Sequence, residues 1–205
     1  MSAHLKSSDW GVFKTQHGEV RRFIESNHYA NGAGNTSVFA HGLRKAVGLD
    51  LFGNKQYSFS LYGAAIWLPP MLPAAEYVGR TLDVDPNKVL ALSRLAVDDS
   101  VPTNGASFLL GRAIRDIKSS KKWHALVTWA DTRLGHTGAI YKATNWTYDG
   151  KTKPRRLWVD PDGRLRSDRK GRPGSRRTAG VQECLEMGWT RTGLSYKHRF
   201  LMDLR

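Results

Sequence analysis

The stretch from Trp129 to Trp146 crowds Asp131, Arg133, His136, Tyr141 and Lys142 into one short piece of chain. Each of these types can do chemistry. A carboxylate at the end of a strand can accept a proton or hold an amine. An imidazole titrates near neutral pH and can serve as a base. A phenol such as Tyr141 can hand a proton to a departing thiolate, as acyl transfer from a thioester requires. Each also has a structural use: Asp131 can cap a turn, His136 can bond a loop, and Tyr141 can fill the core. What singles the stretch out is the density of such groups directly after an apolar strand.

A second constellation runs from the apolar strand Leu92–Val97 through the loop Asp98–Thr103 into Asn104-Gly105-Ala106-Ser107. The start of a helix presents unpaired backbone N–H groups and the positive end of its dipole. With Gly105 and Ala106 leaving the backbone approachable, Asn104, Gly105, Ala106 and Ser107 are either a seat for a pyrophosphate or the start of an ordinary capped helix, which the loop by itself favours. Arg94 lies inside the apolar strand, and a buried guanidinium needs an anionic partner. It is therefore either half of an ion pair or a site residue. His28, His41 and His136 are the side chains a metal would recruit. Their spacing has no tight ligand pattern, so no metal site is assigned.

These groups need elements to hold them. A first helix is expected over Val12–Ser26, interrupted by Gly18, followed by a Gly- and Asn-rich loop over Asn27–Asn35. Strands are expected over Ser37–Leu43, over Phe59–Leu68, where Pro69-Pro70 would end the ladder, and over Lys88–Val97. The clearest helix is Asn104–Ile117, with Asn104 as its N-cap. Phe108, Leu109, Leu110, Ala113, Ile114 and Ile117 form its apolar face. A short strand over Trp123–Trp129, a helix beginning near Thr137 and a closing strand over Ser195–Leu204 complete the pattern. Helices and strands interleave without an internal repeat, which predicts an α/β or α+β fold with a mixed sheet flanked by helices.

The 205 residues suffice for one substantial core, so residues 1–205 are read as a single domain with a basic insertion or arm over 151–180. The composition, 40% hydrophobic and 24% charged, excludes a disordered chain. Lys and Arg number 32 against 18 Asp and Glu, a net charge of +14 that favours a polyanionic partner. The charge is uneven. Residues 151–205 hold 15 basic and 6 acidic side chains, against 17 and 12 in the rest. The arm would lay Arg155, Arg156, Arg164, Arg166, Arg169, Lys170, Arg172, Arg176 and Arg177 along phosphates, making DNA the expected partner. The lone Cys184 excludes an internal disulfide and suits a packed small side chain. No segment is apolar and long enough to span a bilayer, and Met1–Trp10 has no leader core. A soluble, cytoplasmic protein without a membrane partner is expected, and a homodimer is allowed for.

The pair Leu92-Ser93-Arg94-Leu95 and Asn104-Gly105-Ala106-Ser107-Phe108-Leu109-Leu110 resembles the Mom family. So does the long motif from Ala130 to Trp146, and the run Ser195-Tyr196-Lys197-His198-Arg199-Phe200. The likeness covers roughly residues 20–204. It implies a GNAT-like acyltransferase fold and an enzyme that converts adenine in phage DNA to an N6-carbamoylmethyl form, blocking host restriction enzymes. It implies coenzyme A or acetyl-CoA as cofactor, and places the site on Arg94, Ser107, Asp131 and Tyr141, with His41 beside them. A base inside a duplex must leave the stack to reach a pocket. Tyr29, Trp67 and Trp146 are the aromatic residues expected to stack on it.

Overall fold

The computed structural model describes residues 4–28, 33–166 and 180–205. Its elements in chain order are β1 (Trp10–Lys14), α1 (His17–Asn27), β2 (Phe39–Leu49), β3 (Lys55–Tyr57), β4 (Gly63–Leu68), α2 (Leu72–Leu82), β5 (Val89–Val97), α3 (Gly105–Ser119), β6 (Ala125–Asp131) and α4 (Ala139–Lys142). After them come β7 (Thr147–Lys151), β8 (Arg155–Val159), β9 (Leu165–Arg166), α5 (Val181–Glu186), β10 (Thr190–Ser195) and β11 (Lys197–Asp203). Among the described residues the main sheet has the order β1-β2-β4-β5-β6-β11-β7, with β3 on β2. The pairs β1-β2, β2-β4 and β4-β5 are antiparallel, while β5-β6 is parallel, so the sheet is mixed as expected.

Two compact units make up the chain. The first comprises Met1–Thr128, Gly138–Asp149 and Phe200–Arg205. The second comprises Trp129–Thr137 and Gly150–Arg199.

In the first unit the period of two along the strands sorts side chains to two faces. Ala40, Ala64, Ile66 and Ala96 face α1, which buries Val20 and Ile24 against them, one helical turn apart. His41, Leu43 and Gly63 face α3. A Cβ on Gly63 would meet Leu43 Cβ at 3.2 Å and Leu109 of α3 at 3.3 Å. Leu109, Leu110, Ala113, Ile114 and Ile117 give α3 its buried stripe, the apolar face read from the sequence. In the second unit an antiparallel sheet of order β10-β8-β9 and α5 enclose a small core, where Trp189 packs on Trp158 and Cys184. Cys184 is thus the packed small side chain that was expected.

The expected first helix divides. Trp10–Lys14 is an edge strand paired to β2, and the helix begins only at His17, with Gly18 in its first turn. An edge strand buried on one side alone leaves too short an alternation to be told from a helix turn. The strand expected at Ser37–Leu43 runs on to Leu49 and returns as β3. The strand expected from Phe59 starts at Gly63. After these prolines comes α2, which has its own proline, Pro73, in its first turn and ends at Asp83 in the left-handed conformation (φ 54°). The closing strand expected over Ser195–Leu204 is β11, Lys197–Asp203, and β10 precedes it.

Candidate active site

The groove of the first unit lies at α3. It encloses about 570 Å³ and is lined by Asn104, Ser107, Phe108, Arg115, Thr144 and Asn145, among others. Two sequence expectations about this helix start need correction. The Asn104 side chain does not cap α3. Its Oδ1 accepts from the backbone N–H of Leu5 at 2.5 Å, so it ties the N-terminal segment to the helix. Gly105 is small for packing rather than for open approach: it is buried, and a Cβ there would stand 2.1 Å from Val101 Cγ1. Ser107 donates its hydroxyl to the Asn104 carbonyl at 2.9 Å while still lining the groove.

β5 reaches this helix by an irregular route. Ile66 pairs with Arg94 but Trp67 pairs with Leu92, so Ser93 is an extra residue that forms a bulge. Strict alternation would put Arg94 on the same face as Leu92. The bulge turns it instead to the face of Ile66, the α1 side, because directly opposed residues share a face. Arg94 is half-buried there and donates to the Ser93 carbonyl at 2.7 Å. The expectation of a fully buried guanidinium is thereby corrected. Beyond the bulge lies a second irregularity. The parallel register of β5 with β6 covers Val89–Ala91 against Ala125–Val127 and goes no further. The remainder of β5 runs toward α3 outside that ladder.

His41 sits on the opposite face from Arg94 and is 1% exposed. Its Nε2 is 3.1 Å from Asp116 Oδ2 on α3, and Lys14 Nζ is 3.1 Å from the other carboxylate oxygen. Its ring stacks on Phe39, centroids 5.9 Å apart. Burial lowers the His41 pKa, and the Asp116 carboxylate only partly restores it, so the neutral imidazole is favoured. Its Nδ1 is buried without a hydrogen-bond partner among the described residues.

Tyr141, on α4, packs its ring on Phe200 at 5.2 Å and on Trp146 at 5.8 Å, and is half-buried. Gly138 sets the start of α4. It has φ 77°, and a Cβ there would stand 2.2 Å from the Phe200 ring.

Asp131 belongs to the second unit and is 2% exposed. Arg133 donates to it from Nε at 2.9 Å and from Nη2, and Lys197 Nζ lies at 3.5 Å. Those hydrogen bonds from Arg133, with help from the Lys197 charge, hold its carboxyl at about 2. A carboxylate so firmly ionised is a poor proton acceptor near neutral pH. Of its two expected uses, holding positive charge is the one the geometry favours. His136 is exposed, and its N–H donates to the Asp131 carbonyl at 3.4 Å.

Among the described residues no three His, Cys, Asp or Glu side chains gather as a metal site. Trp67 and Trp146, expected to stack on a base, are 0% and 4% exposed and belong to the core. Tyr29, Arg169, Lys170, Arg172, Arg176 and Arg177 lie outside the described residues. Arg155 is exposed at the start of β8. Arg164 is 3.9 Å from Asp162, and Arg166 donates to Asp160 at 2.7 Å, so both basic groups have acidic neighbours. No helix among the described residues is long and apolar enough to cross a membrane.

Comparison with known proteins places these features in a context. Two solved structures share the fold at low identity. The ribosomal-protein-S18-alanine N-acetyltransferase of Escherichia coli superposes with a TM-score of 0.51 and 10% identity, over 95% of this chain and 94% of that one. Arabidopsis thaliana NAA60, solved in complex with acetyl-CoA, gives 0.53 and 9%, over 95% and 98%. The mixed sheet flanked by helices is therefore the GNAT acetyltransferase fold. In sequence, the chain is 27% identical over 136 residues to the methylcarbamoylase Mom of Escherichia phage Mu, a match covering 64% of this chain and 49% of that relative. The chain thus spans about half the length of the relative it matches. The Mom protein family matches residues 9–205, nearly the whole sequence, and the chain belongs to that family.

Proposed function

We propose that this protein is a transferase that modifies adenine in phage DNA, drawing on a CoA-type donor, and so protects the DNA from restriction. The observation that carries the reading is the polar groove at α3, together with a parallel strand pair whose ladder stops after Ala91. A strand edge released from its partner offers backbone N–H and C=O groups to an extended, amide-bearing ligand. Asn104, Ser107, Thr144, Asn145 and the Arg115 guanidinium provide polar and cationic walls suited to a nucleotide with phosphates. These residues fit coenzyme A, whose contribution when bound would be an activated thioester. The acetyl-CoA complex of NAA60 shows that the fold accepts this class of ligand. Membership of the Mom family and the likeness to the phage Mu methylcarbamoylase point the transfer toward DNA.

Within that reading Tyr141 would be the proton donor; release of a thiolate belongs to attack on a thioester carbonyl, which leaves an acetyl group. Arg94, turned by the bulge to the α1 face of the sheet, would offer positive charge to a ligand group on that side. Asp131, held ionised by Arg133, orients the Arg133 and Lys197 side chains. His41 fixes α3 against the sheet through Asp116. DNA is held by phosphate contacts from the basic residues between 151 and 177.

A second reading has an observation in its favour: the GNAT neighbours are N-acetyltransferases, and plain transfer from acetyl-CoA would leave an acetyl group. A carbamoylmethyl group needs a further nitrogen that an acetyl thioester does not contain. Nucleoside mass analysis of DNA from cells expressing the chain separates the readings. A carbamoylmethyl increment on deoxyadenosine supports the first reading, and an acetyl increment replaces it with acetylation. Unmodified nucleosides, from cells with abundant folded protein and also from cells infected by the parent phage, would leave only a DNA-binding role.

A further inference from the structure

The β2–β3 hairpin displays apolar side chains that the core does not use: Val47 and Leu49 along β2, 64% and 65% exposed, and two at its turn. Leu51 is 101% exposed and Phe52 is 89% exposed. On a floppy loop such groups would fold back onto the nearest apolar surface. Here the turn is pinned. Asp50 Oδ1 accepts from the backbone N–H groups of Phe52 and Asn54, both at 2.8 Å, and its Oδ2 accepts from Asn54 Nδ2 at 3.0 Å. The Asp50 N–H donates to the Asn54 carbonyl at 2.8 Å, and Gly53 donates back to the Asp50 carbonyl at 3.0 Å. Gly53 has φ 79°, a conformation that glycine adopts without strain. The turn is preorganised to hold Leu51 and Phe52 outward.

The strand register says where they point. Leu43 of β2 pairs with Gly63, the first residue of β4, and Gly63 pairs with Val97, the last residue of β5. Residues 44–49 of β2 therefore run past β4 and β5 at the end where β5 leads into the loop before α3, paired there with β1 and then β3. Arg44 is paired with Glu19, which leaves Lys45 and Lys55 against the single acid Asp50, so the hairpin would attract a polyanion rather than repel it. Even with Val47 and Leu49, these few side chains fall well short of the roughly 20–30 residues a side that a stable protein interface uses. Leu and Phe on a rigid, basic projection match the wedges that proteins insert between base steps.

We propose that Leu51 and Phe52 form a wedge that enters the base stack of duplex DNA and opens the step from which the target adenine leaves. The proposal rests on the reading that DNA is the substrate. An enzyme acting on adenine N6 must extrude the base, and unstacking the neighbouring step lowers the cost of doing so.

The test uses the full chain and a duplex with 2-aminopurine in place of adenine, whose fluorescence rises when it unstacks. The double variant Leu51→Ala/Phe52→Ala changes only exposed side chains and should keep the wild-type Tm. We expect the wild type to raise the fluorescence several-fold on saturating binding. The variant should bind the duplex within about threefold of wild type, because phosphate contacts carry most of the affinity, yet lose the rise. An undiminished rise in the variant would overturn the wedge and leave the DNA reading intact. Absence of duplex binding by the wild type, even at low salt, would reject both. A lower sedimentation mass for the variant would assign the pair to self-association and overturn the wedge.

Discussion

Tyr141 separates chemistry from packing better than any other residue of the proposed site. Its ring fills space against Phe200 and Trp146, whereas its hydroxyl is the group a proton transfer would use. Tyr141→Phe should leave the Tm within about 1 °C and lower the modified fraction of deoxyadenosine by ~100-fold or more, the usual worth of a general acid. Full activity in that variant would remove its acid role. Asp131 makes a different prediction. Its carboxyl falls from 3.8 to about 2 on folding, chiefly through hydrogen bonds from Arg133. A lowered pKa contributes stability that is complete above about pH 4 and disappears as pH falls through about 2. The contribution is about 1–2 kcal/mol after allowing for solvent around the partly exposed Arg133 and Lys197. Acid unfolding of Asp131→Asn, followed by circular dichroism, should lack that loss between pH ~4 and ~2 while being less stable at neutral pH.

The loop before α3 is held by a contact that can be broken and restored. A methyl group added at Gly105 would collide with Val101. Gly105→Ala should destabilise the fold by about 1–3 kcal/mol, and Val101→Ala in the same chain should recover part of the loss. Thermal melts of the two singles and the double measure the coupling, and strict additivity would show that the two residues do not meet. Long, periodic elements were legible in the sequence: α3 announced its apolar stripe, and β5 its run of Val, Leu and Ala. The bulge at Ser93 was not, because one inserted residue leaves composition and local pattern unchanged while reversing every face beyond it. Residue types in the long motif marked Asp131 and Tyr141, but not that Asp131 would be so strongly paired. Trp67 and Trp146 misled because an indole stacks equally well on a base or inside a core. Leu51 and Phe52 escaped notice, although two adjacent apolar residues before Gly53-Asn54 are an unusual thing for a turn to carry.

Over the whole chain, charge sets how the protein should meet DNA. The net charge is +14, and most of the excess lies beyond residue 150. If that region neutralises about five phosphates, log affinity should fall against log salt with a slope near about −4.5. Replacing Arg155, Arg156, Arg176 and Arg177 by Ala should flatten the slope, as fluorescence anisotropy across a salt series would report. An unchanged slope would place the DNA elsewhere. The main sheet carries a further consequence, in the order β6-β11-β7. The strand lodged between β6 and β7 is among the last parts of this sequence to be made. Phe200, Leu201 and Leu204, all buried, belong to the first unit although the second unit's longer segment precedes them. During synthesis, β6 must wait with an open edge until β11, far downstream in the sequence, has emerged. Closure of this sheet is thus slow and dependent on long-range pairing. A nascent chain stalled at Ser195 would present an unpaired strand edge to every neighbour on the polysome.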